Sequence, residues 1–119
     1  MKQILAVDDN PANLTLVRET LRDLYKVTPV TSGEQALKFL EKKQPDLILL
    51  DVCMPGMDGI ETLTRINELP ERPWKVLFLT ALADGDMQSE TEALGAEGCL
   101  AKPFKPAEML AAVRKVIGE

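Results

Sequence analysis

Five short apolar runs, separated by segments with helical spacing, constrain this chain more than any other feature. They lie at residues 4–7, 27–30, 47–50, 76–79 and, more weakly, 99–101. Runs this short, bounded by turn residues, read as strands buried on both faces. Between the first two, Asn10 is placed to cap a helix with Pro11 at its first position, and Leu14, Val17, Leu21 and Leu24 make one apolar stripe. Ser32 and Gln35 form a capping box ahead of Ala36, Leu37 and Leu40. Asp58 is placed to cap a third helix carrying Ile60, Leu63 and Ile66. A fourth helix is predicted over 84–94, stopping at Gly95. A fifth starts near Pro106 and carries Met109, Leu110, Val113, Val116 and Ile117. Strands alternating with helices at this spacing mean βαβ units and a parallel sheet covered on both faces. The expectation is one α/β domain over residues 1–119, with no linker and no internal repeat beyond the alternation.

The polar residues fall where such a sheet would use them. Asp8 and Asp9 follow the first strand, Asp51 the third, Thr80 the fourth and Lys102 the fifth. In a parallel sheet all C-terminal strand ends share one edge, and ligands bind there, at the point where strand order reverses. With order 2-1-3-4-5, strands one and three are neighbours at that point, so Asp8, Asp9 and Asp51 meet in one crevice beside Thr80 and Lys102. Carboxylates brought this close either raise a pKa or recruit a cation. A hard site of oxygen donors suits Mg²⁺. A cation, an ammonium and a hydroxyl around one carboxylate make a phosphoryl-binding site, and the carboxylate itself can accept the group.

Absences narrow the chemistry. The chain has no histidine, which removes Ser-His-Asp triads, Cys-His pairs and His-ligated zinc. It has no Walker or dinucleotide glycine motif, so the phosphoryl donor is expected to be another molecule. A formal charge of -5 with no Lys/Arg run argues against direct nucleic-acid binding. Cys53 and Cys99 have neither zinc spacing nor the pattern of a disulfide framework, which fits a reducing, cytoplasmic setting; both read as small packing residues. The N-terminal apolar run is too short for a signal peptide or a membrane span. Trp74, the only tryptophan, is expected to cover the start of the fourth strand.

The segments "AVDDN", "DLILLDVCMPGMDGIE", "VLFLTAL" and "CLAKPF", in this order and over essentially the whole chain, resemble the signature blocks of response-regulator receiver domains of the chemotaxis-regulator type. The resemblance implies a flavodoxin-like (βα)5 fold with sheet order 2-1-3-4-5. It implies a cytoplasmic switch of a two-component phosphorelay that takes a phosphoryl group from a kinase's phosphohistidine onto Asp51 with Mg²⁺. Asp9 would ligate the ion directly, Asp8 through water, and Asp51 and the main-chain carbonyl of Cys53 would complete the protein ligands. Thr80 would bind a phosphoryl oxygen, Lys102 would pair with Asp51 or its phosphate, and Pro103 would make a cis turn. Implied partners are a histidine kinase or phosphotransfer domain and a downstream protein or fused output domain, with a homodimer through the fourth helix, fifth strand and fifth helix, and no membrane.

Two positions depart from the family pattern. The side chain two residues past the acceptor, here Cys53, influences phosphoaspartate lifetime in the family. Cys99 stands where the family usually has Tyr or Phe, and a small thiol cannot fill the volume of an aromatic ring that swings inward. Switching is then expected to rely on the loop after Thr80 and on the fourth helix. Such a domain catalyses only its own phosphorylation and dephosphorylation. The rival readings are a small Mg²⁺-dependent aspartyl-phosphate phosphatase, which would need a second acid where Cys53 stands, and a non-phosphorylated interaction module of the same fold.

Overall fold

In the computed structural model the most buried element is the third strand, where every residue of Leu47–Asp51 is buried, the terminal aspartate included. The structure describes residues 1–69, 74–81 and 85–118, without the side chains of 85–88. In chain order the elements are β1 (Lys2–Val7), α1 (Pro11–Leu21), β2 (Tyr25–Val30), α2 (Gly33–Leu40), β3 (Leu47–Asp51), α3 (Gly59–Ile66), β4 (Lys75–Thr80), α4 (Gly85–Ala93), β5 (Gly98–Ala101) and α5 (Pro106–Ile117). The strands form one parallel sheet in the order β2-β1-β3-β4-β5. This is the flavodoxin-like architecture with the expected strand order.

Strand alternation divides the core in two. Leu5, Val7, Ile48, Leu50, Val76 and Phe78 face α2 and α3 through Ala36, Leu40, Leu63 and Ile66. Ile4, Ala6, Leu47, Leu49, Leu77 and Leu79 face α1 and α5 through Leu14, Val17, Leu21, Met109 and Val113. Pro29 sits within β2, which is tolerated because β2 is an edge strand and one side of it needs no ladder partner.

The helix starts follow their caps. Asn10 Oδ1 accepts from Ala12 N–H at 2.9 Å, Ser32 Oγ from Gln35 N–H at 3.1 Å, and Asp58 Oδ1 from Glu61 N–H at 2.8 Å. Two details correct the sequence reading. Gln35 Oε1 does not close a reciprocal box on the Ser32 amide; it accepts from the N–H of Thr31, one residue earlier. Leu24 does not extend the α1 stripe, because the helix ends at Leu21 and a turn leaves Leu24 45% exposed. Gly95, at φ +91°, stops the chain after α4 as expected, while the predicted start of that helix at Asp84 lies outside the described residues. Trp74 is buried just ahead of β4, in the same core as Phe78.

Candidate functional site

Three strand ends deliver the site. β1 runs into Asp8, whose N–H donates to Val30 O at 3.2 Å, and this keeps the acid at the sheet edge although it is fully buried. β3 ends on Asp51, and the next amide, Val52 N–H, donates to Leu79 O at 3.0 Å. Past β5, Lys102 N–H donates to Thr80 O at 2.8 Å, ahead of a cis Lys102–Pro103 bond. The expected cis turn is therefore present.

These backbones bring an ammonium between two carboxylates. Lys102 Nζ lies 2.9 Å from Asp8 Oδ2 and 3.1 Å from Asp51 Oδ2. The other oxygen of each acid is also held: Asp8 Oδ1 accepts from Asn10 N–H at 2.9 Å, and Asp51 Oδ1 from Cys53 N–H at 3.2 Å. Asp9 stands exposed beside them, and one oxygen from each of Asp8, Asp9 and Asp51 falls within a common 4.8 Å. Asp8, Asp9, Asn10, Asn13, Asp51, Cys53, Ala81 and Lys102 line an open cleft of about 250 Å³.

Burial and the neighbouring Asp8 charge push the Asp51 carboxyl up from 3.8 to about 6, against the opposing pull of Lys102. Burial alone would lower the Lys102 ammonium; its hydrogen bonds to Asp8 and Asp51 outweigh that and raise it. One ammonium therefore does not balance three acids. An oxygen-only donor set with surplus negative charge, open to solvent on the Asp9 side, fits a small divalent cation. Asp8, Asp9 and Asp51 could hold it.

The expected residues thus converge, with two refinements. Lys102 pairs with Asp8 as well as with Asp51, which strand ends alone did not reveal. Thr80 is fully buried at the last position of β4, and Ala81 beside it lines the cleft. Asn13 was missed. Its signal was its place three residues past the Asn10 cap, in the α1 turn nearest the acids. Cys53 is exposed in the cleft, whereas Cys99 is half-buried, with its Sγ 3.1 Å from Thr91 Oγ1 of α4. The loop after Thr80, expected to take part in switching, lies at 82–84, outside the described residues.

The family model for the response regulator receiver domain matches residues 4–114. Sporulation initiation phosphotransferase F of Bacillus subtilis is 39% identical over 117 residues, covering 98% of this chain and 94% of that protein. Other curated relatives are longer, and the chain spans about half of some, such as the transcriptional regulator PhoP of B. subtilis at 48%. Among solved structures, the receiver domain of sensor histidine kinase PA1611 from Pseudomonas aeruginosa, with a magnesium ion coordinated in its active site cleft, superposes with a TM-score of 0.88 at 36% identity, covering 99% of this chain and 98% of that one.

Proposed function

The chain belongs to the response regulator receiver domain family of two-component signalling, and from that premise we propose that Asp51 is its phosphoacceptor. Receiver domains are phosphorylation-controlled signalling switches. We read residues 1–119 as one such domain, acting in the cytoplasm; among the described residues no helix is long and apolar enough to cross a membrane. The observation that carries the assignment is Lys102 Nζ shared between Asp8 and Asp51 in a cleft that Asp9 completes.

In this reading Asp51 attacks the phosphorus of a phosphohistidine on a histidine kinase or phosphotransfer domain. An O–P bond forms as the N–P bond breaks, and the electron pair leaves with the imidazole nitrogen. Lys102 keeps Asp51 ionised and its oxygen directed into the cleft, and then pairs with the phosphoryl group. Cys53 N–H steadies the second Asp51 oxygen. Asp8, Asp9, Asp51 and the Cys53 carbonyl would hold Mg²⁺, which when bound supplies the positive charge that lets an anionic phosphoryl group enter an acidic cleft. Thr80 donates its hydroxyl to a phosphoryl oxygen. Phosphorylation replaces the Asp51 carboxylate by an acyl phosphate of about -2 with three new acceptor oxygens, which biases a two-state equilibrium that a downstream protein, a fused output domain or a second copy reads on α4, β5 and α5. The domain turns over no external substrate beyond its own phosphorylation and dephosphorylation.

Incubation with acetyl phosphate and Mg²⁺, read by intact mass, tests the assignment. Wild type gains one phosphoryl group, chelation of the metal abolishes the gain, and Asp51→Asn gains none. Equal labelling of Asp51→Asn, or none in wild type, refutes it.

A further inference from the structure

Gly59 opens α3 with its N–H donating to Val52 O at 2.9 Å, and a Cβ placed on it would overlap the Asp51 carbonyl oxygen and lie 2.8 Å from Val52 Cα. Neither neighbour is the tip of a flexible side chain. Both belong to the backbone that carries the Asp51 carboxylate. The backbone angles at Gly59 are not in the left-handed region, so space rather than conformation demands glycine here.

We propose that Gly59 is a positioning residue for phosphoryl acceptance: its missing side chain seats the first turn of α3 directly on the Asp51–Val52 backbone, and this contact fixes the acceptor carboxylate against Lys102 and Asp8. The proposal rests on Asp51 being the acceptor. Asp51 Oδ2 meets Lys102 at 3.1 Å and Oδ1 meets Cys53 N–H at 3.2 Å, so the carboxylate is held by contacts that a backbone displacement of a few tenths of an ångström would lengthen. A side chain at 59 must displace that backbone or push α3 away, because protein interiors have no slack to absorb it. The Asp58 cap holds the same turn in place through Glu61 N–H at 2.8 Å, and Thr62 N–H donates to Asp58 O at 2.9 Å, so the turn is held without the Thr62 side chain.

The molecule supplies a matched control. A Cβ on Gly33, at the start of α2, would overlap Thr62 Oγ1 and lie 2.9 Å from Met57 Sδ. Those are side-chain atoms that do not line the cleft. Gly33→Ala therefore crowds the same pair of helices without touching the acceptor backbone.

The test measures Mg²⁺ affinity by calorimetry and phosphorylation rate with acetyl phosphate, at a temperature where each variant is folded by circular dichroism. Gly59→Ala is expected to weaken Mg²⁺ binding and slow phosphorylation, each by about tenfold or more. Gly33→Ala is expected to lower Tm while leaving both at the wild-type level. If Gly59→Ala does not fold, the Asp58 pair decides: Asp58→Ala loosens the seat and slows phosphorylation, and Asp58→Asn, which still caps, restores it. Wild-type affinity and rate in folded Gly59→Ala, an equal loss in Gly33→Ala, or an unaffected Asp58→Ala would each overturn the proposal. A wild-type protein that binds Mg²⁺ but takes no phosphoryl group would instead sink the acceptor assignment, and the Mg²⁺ affinities would still judge the seat.

Discussion

The Asp51 carboxyl is pulled in two directions, by burial and Asp8 towards the neutral form and by Lys102 towards the charged one, and the first wins. The consequence for stability has a definite sign. The folded protein holds this proton up to about pH 6, while the unfolded chain gives it up near 3.8. The stabilisation is fully present below 3.8 and is lost as pH rises through 6, by roughly 2–3 kcal/mol at neutral pH. In metal-free buffer Asp51→Asn should therefore be more stable than wild type at pH 7, with the gap closing as pH falls towards 4. Urea unfolding across that range measures it. A gap that persists at pH 4 would mean that the difference is not ionisation of Asp51. Mg²⁺ should then stabilise wild type and not the variant, since a ligand of the native state adds stability only where it binds. The acids and Lys102 were legible in the sequence because every strand of a parallel sheet ends on the same edge. The Asp8–Lys102 bond and the place of Asn13 in the cleft were not, because they depend on loop path and rotamer rather than on which strand ends where.

Helix ends and strand ends obey different information. α1, α2 and α3 begin at the residues whose side chains cap them, because a cap is a local bond between neighbours in sequence. The end of α1 was misread: Leu24 continues the helical spacing of Leu14, Val17 and Leu21, but the chain leaves the helix at Leu21 to reach β2. Periodicity cannot register that turn, because it is imposed by the distance to the sheet. The two leucines make a direct test. Leu21, fully buried, should cost about 2–5 kcal/mol when changed to Ala, and Leu24, about half in solvent, should cost less than about 1 kcal/mol. Chemical denaturation of the two variants separates them, and comparable losses would place Leu24 in the core after all. Cys99 is a subtler case. The resemblance to receiver domains marks it as a small residue where the family usually has an aromatic, but its contact with Thr91 joins β5 to α4 and depends on how those elements pack.

At the scale of the molecule the parallel sheet has two unlike edges, and the described residues of the candidate site gather at the one where the strands end. Trp74 belongs to the second edge. It precedes Lys75, which pairs with Leu47 at the starts of β4 and β3, whereas Asp51 pairs with Leu79 at their far ends. The six residues of β4 span about 20 Å at roughly 3.3 Å each, so the indole lies the length of a strand from the cleft. Its Nε1 is buried with no hydrogen-bond partner among the described residues, and its ring belongs to the core that holds Ile66 and Val76. An indole so placed senses loss of the core and not charge at the opposite edge, where any field from the cleft is weakened by distance and by solvent. Its fluorescence should therefore stay flat through a Mg²⁺ or beryllofluoride titration and change steeply on unfolding. A saturable change on Mg²⁺ addition that is absent in Asp51→Asn would instead show that occupancy of the cleft repacks the α2–α3 face down to the strand starts, because Trp74 shares that core with Leu50 and Val52 on either side of Asp51 in the chain.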